Sequence, residues 1–470
     1  MKVTSITAAL ALGVLVQGES IAQQASTLPA SFSSTGSVAG ARAQDDLTDL
    51  AVSTGENYWL PAIEVVGVNL GVWSYNKFLT KAGWSDINWE TIKRNFRTGF
   101  RWDYDGYLTN QFMHPYHGSA YYSTARVNGL GFWESAPYAF GGSLMWEYFM
   151  EDEPPSYNDI VNTPVTGIIL GEISLRVSDV IIDESAVGLE RVVRETGALV
   201  INPIHALSRL FRGEVWKSGP AKPHPDFFLR LSMGGNTLFV SRKLSNNTTY
   251  AFLGLDFGMG DPLEVSRHKN PFDFFVVHSE LSLAKDDNIV GIFASGVLWD
   301  TRLTLFGNPK DVLGAYKEVD ILINTVYKLS ATSLTGQLID NLELSSAVGM
   351  QNSLSVSAIL MGATNSEYAS EYGKDYNIGP GASARISSTV TIRDFGRVQA
   401  SYKRYWIHTL SGAVGEEFVG VLKFGTVWEL TRTLALGSDF LLYERFGNYR
   451  EFPDTKNSNS AVRIYAQFTV

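Results

Sequence analysis

His114 and His117 stand three residues apart. On a helix that spacing places both rings on one face, where they could bind a metal ion or serve as a general base. Pro115 between them favours a turn or a helix start, and the plainer reading is that His114 hydrogen-bonds a packed loop. Glu147 and Glu151 are four apart, so their carboxylates share a helix face. Such a pair can divide into acid and base roles or hold a divalent cation. Neither has a histidine three residues on, so the di-iron pattern is missing, and an ion pair with Arg126 is the simpler assignment. Ser143 follows Gly141-Gly142, but Met145 occupies the position where a nucleophile elbow needs glycine. A serine hydrolase built from Ser143, His114 and an acid such as Asp103 or Glu147 therefore rests on residue inventory alone. Asp103, Asn110, His117 and Asp159 complete the polar candidates. No metal site and no cofactor are expected, and no phosphate loop or dinucleotide motif appears.

Glu172 and Arg176 are also four apart and are expected to bridge each other. Arg126, Glu147, Glu151, Glu172 and Arg176 together form a sign-balanced set in a segment otherwise rich in Gly, Ala and aromatics. They are expected to make a charge network that fixes helices, because unpaired buried charge is too costly. The elements that would carry them are helical. Ser156 is placed to cap a helix in which Ile160, Val161, Val165, Ile168, Ile169, Ile173 and Val177 recur at three- and four-residue spacing. Gly167 and Gly171 interrupt that face and would admit another backbone. Further helices are expected near 189–200 and 203–211, the latter with Pro203 at its first position. The region 57–109 reads as strand-containing, from the Val and Leu interleaved with Gly and Asn in Ala62–Tyr75.

After Gly219 the period switches to two. Leu422, Phe424, Thr426, Trp428 and Leu430 alternate with Lys423, Gly425, Val427 and Glu429. Val398 to Tyr402 alternates with Arg397, Gln399 and Lys403, and Ile321 to Leu329 reads as another such run. Runs of about ten residues suit a tilted membrane strand better than an average soluble one. The chain ends with Val462, Ile464, Ala466, Phe468 and Val470 on one face and Arg463, Tyr465, Gln467 and Thr469 on the other. This resembles the terminal assembly signal of outer-membrane barrels. Asp286-Asp287-Asn288 and Asp394-Phe395-Gly396 read as tight turns, and Asn365–Gly381 and Phe446–Ser460 as long loops. The expected fold is a transmembrane antiparallel β-barrel over 220–470, of about 12 strands with a range of about 10–14, with an N-terminal helical segment over 110–213 packed in or against it.

The composition agrees. Charged residues make up 18% of the chain, against about 25% in soluble domains. The net charge of −10 argues against a nucleic-acid partner, and the absence of cysteine excludes disulfides and thiolate chemistry. Lys2, the apolar run Ile6–Val16 and the small residues Ser20 and Ala22 form a signal-peptide pattern over 1–22, with 23–56 a flexible Ser- and Ala-rich leader. Export to a bacterial outer membrane follows, with its lipid and the barrel-assembly machinery as expected partners and neither nucleic acid nor nucleotide among them.

The stretch Asn110–Gly129 reads NQFMHPYHGSAYYSTARVNG, Phe132–Asp159 reads FWESAPYAFGGSLMWEYFMEDEPPSYND, Thr163–Asp179 reads TPVTGIILGEISLRVSD, and Glu190–Gly213 reads ERVVRETGALVINPIHALSRLFRG. In these motifs the chain resembles the bacterial domain-of-unknown-function family numbered 3943. That resemblance implies no assigned activity and lends no catalytic residues. Three roles remain for such a chain. The first is a structural or binding protein with a plug-like helical element. The second is an outer-membrane enzyme acting on lipid, lipopolysaccharide or an envelope glycan. The third is a passive channel, against which the helical segment counts, because a filled lumen does not conduct.

Overall fold

The computed structural model describes residues 57–470 apart from 222, 224, 241–246, 286 and 306–307. The signal peptide, the leader and Asp286 of the first expected turn lie outside the described residues. The described chain divides into two units, helical to Pro225 and all-β from Asp226.

Among the described residues, seven α-helices build the first unit: α1 (Trp59–Ser74), α2 (Trp89–Thr98), α3 (His114–Val127), α4 (Phe132–Phe149), α5 (Tyr157–Ile181), α6 (Gly188–Ile201) and α7 (Pro203–Phe211). Helices α1 and α2 correct the strand reading of 57–109. The interleaved apolar residues of 62–75 have a helical role, because Pro61, Val65 and Asn69 recur every fourth residue and form the buried stripe of α1. Asn88 and Thr91 make a capping box that starts α2. The expected Ser156 cap of α5 is present, Ser156 Oγ accepting from the Asp159 amide at 3.2 Å. Pro203 is the first residue of α7 as expected, behind a cap the sequence reading did not name, in which Asn202 Oδ1 accepts from the His205 amide at 3.0 Å. Helices α3 and α5 cross almost backbone to backbone. A Cβ on Gly118 would lie 2.0 Å from the Thr163 carbonyl oxygen, and one on Gly167 would lie 2.6 Å from the Gly118 carbonyl carbon. Only glycine permits that approach.

The second unit is a closed antiparallel barrel of twelve strands, in which β1 (Phe227–Val240) pairs with β12 (Thr455–Thr469). Between them run β2 (Asn247–Met259), β3 (Phe275–Leu283), β4 (Asn288–Leu305), β5 (Asn308–Ile323), β6 (Lys328–Glu343), β7 (Val348–Thr364), β8 (Asn377–Ile392), β9 (Gly396–His408), β10 (Gly415–Glu429) and β11 (Leu434–Tyr449). Each strand pairs only with its neighbours, so no edge is left open. On β12 the side chains of Ala461, Arg463, Tyr465 and Gln467 are buried, while Val462, Ile464 and Phe468 point outward and are exposed. The same division holds on β10, where Phe424 and Trp428 face out and Lys423 turns in to meet Asp439 at 3.2 Å.

Three connections differ from the sequence reading. Ile321–Leu329 is not one strand: β5 ends at Ile323 and β6 begins at Lys328. Asn324 makes the turn, its side-chain oxygen accepting from the amides of Val326 and Tyr327 at 2.8 and 3.0 Å. Phe446–Ser460 is mostly strand, since β11 continues to Tyr449 and β12 starts at Thr455. Asn365–Gly381 contains a loop only as far as Tyr376. The polar residues that suggested loops include lumen-facing strand positions such as Asn459, which is buried.

Side chains of the wall bridge the lumen at several points. Lys403 on β9 reaches Glu318 and Asp320 on β5, four strands away round the wall, at 3.1 and 2.8 Å. Arg385 on β8 donates to the same Glu318 at 3.1 Å. Arg463 on β12 holds Glu280 on β3 with two hydrogen bonds of 2.5 and 2.8 Å. The β5–β6 turn folds inward: Tyr327 is fully buried, its ring lies 6.2 Å from that of Tyr443 on β11, and Thr325 accepts from Asn459 on β12 at 2.9 Å. Around this turn Leu238, Tyr250, Leu329, Tyr405 and Leu441 form an apolar core.

Candidate functional site: a buried acid and histidine cluster

The cluster is assembled by two connections and the helix ends they join. Residues 99–106 are held to the α4–α5 connection, where the Arg101 amide donates to the Pro155 carbonyl at 2.7 Å and the Tyr157 amide donates to Arg101 at 2.8 Å. This brings Asp103 to the start of α5. Asn158 Nδ2 donates to Asp103 at 2.7 Å, Ser156 Oγ at 3.2 Å, and Asn110 Nδ2, from the π-turn leading into α3, at 2.8 Å. The helix α3 begins at His114, so the proline beside it sits in a first turn. His114 Nε2 lies 3.3 Å from Asp105 Oδ2 and 3.9 Å from Asp159 Oδ1. Glu147, buried on α4, accepts from the Ser156 amide at 2.6 Å. Glu151 accepts from Trp146 Nε1 at 3.2 Å.

The electrostatics of this cluster are dominated by burial. Burial pushes the Glu147 carboxyl up to about 7; Asp103 and Asp105 push the same way, while the Ser156 amide and His114 hold it back. Burial raises Glu151 well above the carboxylate range, and Glu147 and Asp159 add to it. Asp159 is raised for the same first reason, with His114 opposing. Asp103 moves down despite burial, because Asp159, Asn158 and Asn110 hydrogen-bond to it. The two aspartates therefore shift in opposite directions. Burial also disfavours a charged His114, yet Asp159, Asp105 and Glu147 together carry it up to about 10. His117 goes down to about 3, from burial and from the neighbouring charge of His114. Its ring packs 4.8 Å from Trp146 and its Nδ1 lies 3.4 Å from the Tyr121 hydroxyl.

A second buried cluster sits further along α3 and α5. Arg126 donates to Glu172 from Nε at 2.8 Å and from Nη2 at 3.3 Å. Arg176 Nε and the Tyr122 hydroxyl each donate to Glu172 at 2.8 Å. Burial alone would raise the Glu172 carboxyl, but the two guanidiniums overcome it and hold it at about 2.

The structure thus separates the five residues of the expected network. Arg126, Glu172 and Arg176 meet, while Glu147 and Glu151 join His114, Asp103 and Asp159. Ser143 donates to the Asp159 carbonyl at 3.3 Å, and among the described residues no histidine hydrogen-bonds it. Nor, among those residues, is any group of three or more His, Asp and Glu disposed to hold a metal ion. Asp105 and Asn158 went unnoticed in the sequence; neither stands at a helical spacing from His114 that would mark it. An open groove of about 450 Å³ lies beside this region, lined by Arg94, Thr98, Arg101, Asp152, Glu153 and Pro154.

The family described as "Domain of unknown function (DUF3943)" matches residues 99–204, which is the helical stretch from just before α3 to the start of α7. No curated protein matches the chain. Among solved structures, the chain is similar to an outer membrane channel of Pseudomonas putida F1, at 11% identity and a TM-score of 0.27, over 53% of this chain and 97% of that one. The outer membrane channel DcaP of Acinetobacter baumannii is similar at 10% identity and a TM-score of 0.22, over 52% and 97%. The toluene transporter TodX of Pseudomonas putida is similar at 9% and 0.23, over 52% and 88%. Similarity at this level adds nothing to the barrel topology, which the strand register establishes by itself.

Proposed function

We propose that this is an outer-membrane protein whose barrel is a sealed anchor and whose helical unit carries a structural or binding role. The single observation behind this reading is the lumen. Lys403 and Arg385 bridge it to Glu318 and Asp320 on β5, and the inturned β5–β6 turn packs Tyr327 against the opposite wall. A barrel whose interior is occupied by packed, paired side chains offers no aqueous path. The outward belt of Ile464, Phe468, Phe424 and Trp428 suits lipid, and single-chain barrels with an apolar belt belong to bacterial outer membranes. Planar-bilayer recording of the purified chain tests the reading. Insertion without conductance steps is the expected result; stable porin-like steps in the wild-type protein would establish the passive channel in its place.

One observation favours a second reading, an enzyme acting on envelope lipid or glycan. Glu147, with its proton poised near neutrality, sits in one cluster with a protonated His114, and acid–base sites are built this way. Lipid analysis of membranes from cells with wild-type protein, His114→Ala or Glu147→Gln separates the two. A lipid change that depends on both residues supports the enzyme; identical profiles support the binding role.

A further inference from the structure

Two helices of the first unit have their polarity inverted. The unit's buried interior holds Asn69, Asn110, Asn158, Asn162, Glu172 and Asn202 among its apolar residues, while the outer stripes of α1 and α4 are apolar. On α1 the stripe Trp59, Ile63, Val66 and Leu70 faces outward, with Trp59 at 81% and Ile63 at 67% exposure, and the stripe turned inward contains Asn69. On α4, Trp133, Phe140 and Leu144 are exposed, while Ser143 and Glu147 are buried. Phe211 on α7 is 84% exposed, and Leu189 on α6 is 78% exposed. A water-soluble helix places these classes the other way round.

From this we infer that the outer face of the helical unit is a lipid-contact surface, its side chains solvated by the acyl chains of a bilayer. Three observations select lipid over a protein partner. The exposed apolar residues are not one patch. They lie on α1, α4, α6 and α7, which form the shell around the central pair α3 and α5, and a partner protein covers a face, whereas a solvent covers a shell. The acidic and basic residues of α1 and α4 are confined to Glu64, which accepts from Asn128 at 2.7 Å, Glu134 in the first turn of α4, and the buried Glu147. The outer stripes of α1 and α4 are therefore uncharged, and on α6 Glu190 pairs with Arg194 at 2.9 Å and Glu195 with Arg209 at 3.2 Å. The central crossing also relies on backbone contact at Gly118 and Gly167 and on buried polar bonds. These forces associate helices where lipid has removed the hydrophobic drive. The same chain continues at Phe227 into a barrel with a lipid-type outer belt. The inference does not depend on the lumen being sealed.

Because the chain has no cysteine, single-cysteine variants carry a unique label. Ile63→Cys and Phe211→Cys report on the shell, Ile464→Cys on the barrel belt, and Glu153→Cys on a polar surface. Each full-length variant is labelled with bimane and reconstituted into phosphatidylethanolamine and phosphatidylglycerol vesicles with brominated acyl chains. Quenching at 63 and 211 within about twofold of that at 464, with little quenching by aqueous iodide, is the expected result. Strong iodide quenching at 63 and 211, matching 153, would overturn the inference. So would protection from both quenchers, which would mean that a second copy or another part of the protein covers the shell. In either case a quenched label at 464 leaves the anchor reading intact.

Discussion

Replacing Glu147 with glutamine should stabilise the helical unit at alkaline pH and leave it unchanged in acid. The carboxyl is buried, accepts one backbone hydrogen bond from Ser156 at 2.6 Å, and titrates near 7 in place of its ordinary 4.5. A carboxyl raised by folding contributes stability that is fully present below about 4.5 and is lost as pH rises through about 7. Moving a carboxyl's titration tenfold in proton concentration takes about 1.4 kcal/mol, so the wild-type protein should lose about 3 kcal/mol of stability across this window. Glutamine has the shape of the protonated acid and can still accept from Ser156. At pH 5 the variant should therefore be ahead by no more than about 1 kcal/mol, and at pH 8.5 by about 3 kcal/mol. For a unit of this size that is about 6–12 °C in Tm. His117, lowered to about 3, changes stability in the opposite sense, losing it as pH falls from 6.5, but that contribution is shared and cancels in the difference. Thermal unfolding followed at 222 nm in detergent, from pH 5 to 8.5, measures it. A variant less stable than wild type by a pH-independent margin would refute the reasoning. That result would mean that Glu147 is ionised and paired with a cation, as the sequence suggested for Arg126.

Glu172→Gln has the opposite outcome: it leaves Arg126 and Arg176 facing a neutral amide in a buried site and should cost about 3–5 kcal/mol at pH 7, read by the same unfolding experiment. In the barrel, Lys403→Met removes the cation bound to Asp320 and leaves Glu318 with Arg385 as its ion-pair partner. It should lower the folded fraction seen as heat-modifiable migration on gels, by a loss of several kcal/mol. Phe468→Asp puts a charge on the outward face at the end of β12, whereas Gln467→Asp keeps a polar group facing Arg397, which now donates to Gln467 at 3.0 Å. Assembly into membranes should suffer more from the first change. Ile464→Lys, nearer mid-strand, should cost about 2–4 kcal/mol, and equal damage from Phe468→Asp and Gln467→Asp would mean that the two faces of β12 are assigned wrongly.

The wall of the barrel was legible because a strand with lipid on one side and a polar lumen on the other must alternate. The faces of β10 and β12 could therefore be assigned residue by residue from the sequence. The same alternation concealed the strand ends. Lys456, Asn457, Ser458, Asn459 and Ser460 in β12 have the composition of a loop, yet they pair in register with β11 as far as Thr455 and Gly447. Bonds across the lumen, such as Lys403 to Glu318, leave no trace in periodicity, since their separation is set by how many strands lie between them. In the helical unit, α1 was misread for a related reason. Its interior stripe contains Asn69 and its apolar residues face out, so a rule that seeks the core beneath the apolar stripe looks at the wrong face. The pairing of Glu147 failed at a different level. Its i,i+4 relation to Glu151 is real, but what decides its charge is its burial, with Asp103 and Asp105 adding to it, and the segment 99–106 that carries them is joined to the start of α5 by the bridge between Arg101 and Ser156. Local spacing names the groups that can meet on one helix. It is the connection between helices that selects which group is left holding a proton, and Arg126, the nearest cation by sequence reasoning, is already committed to Glu172.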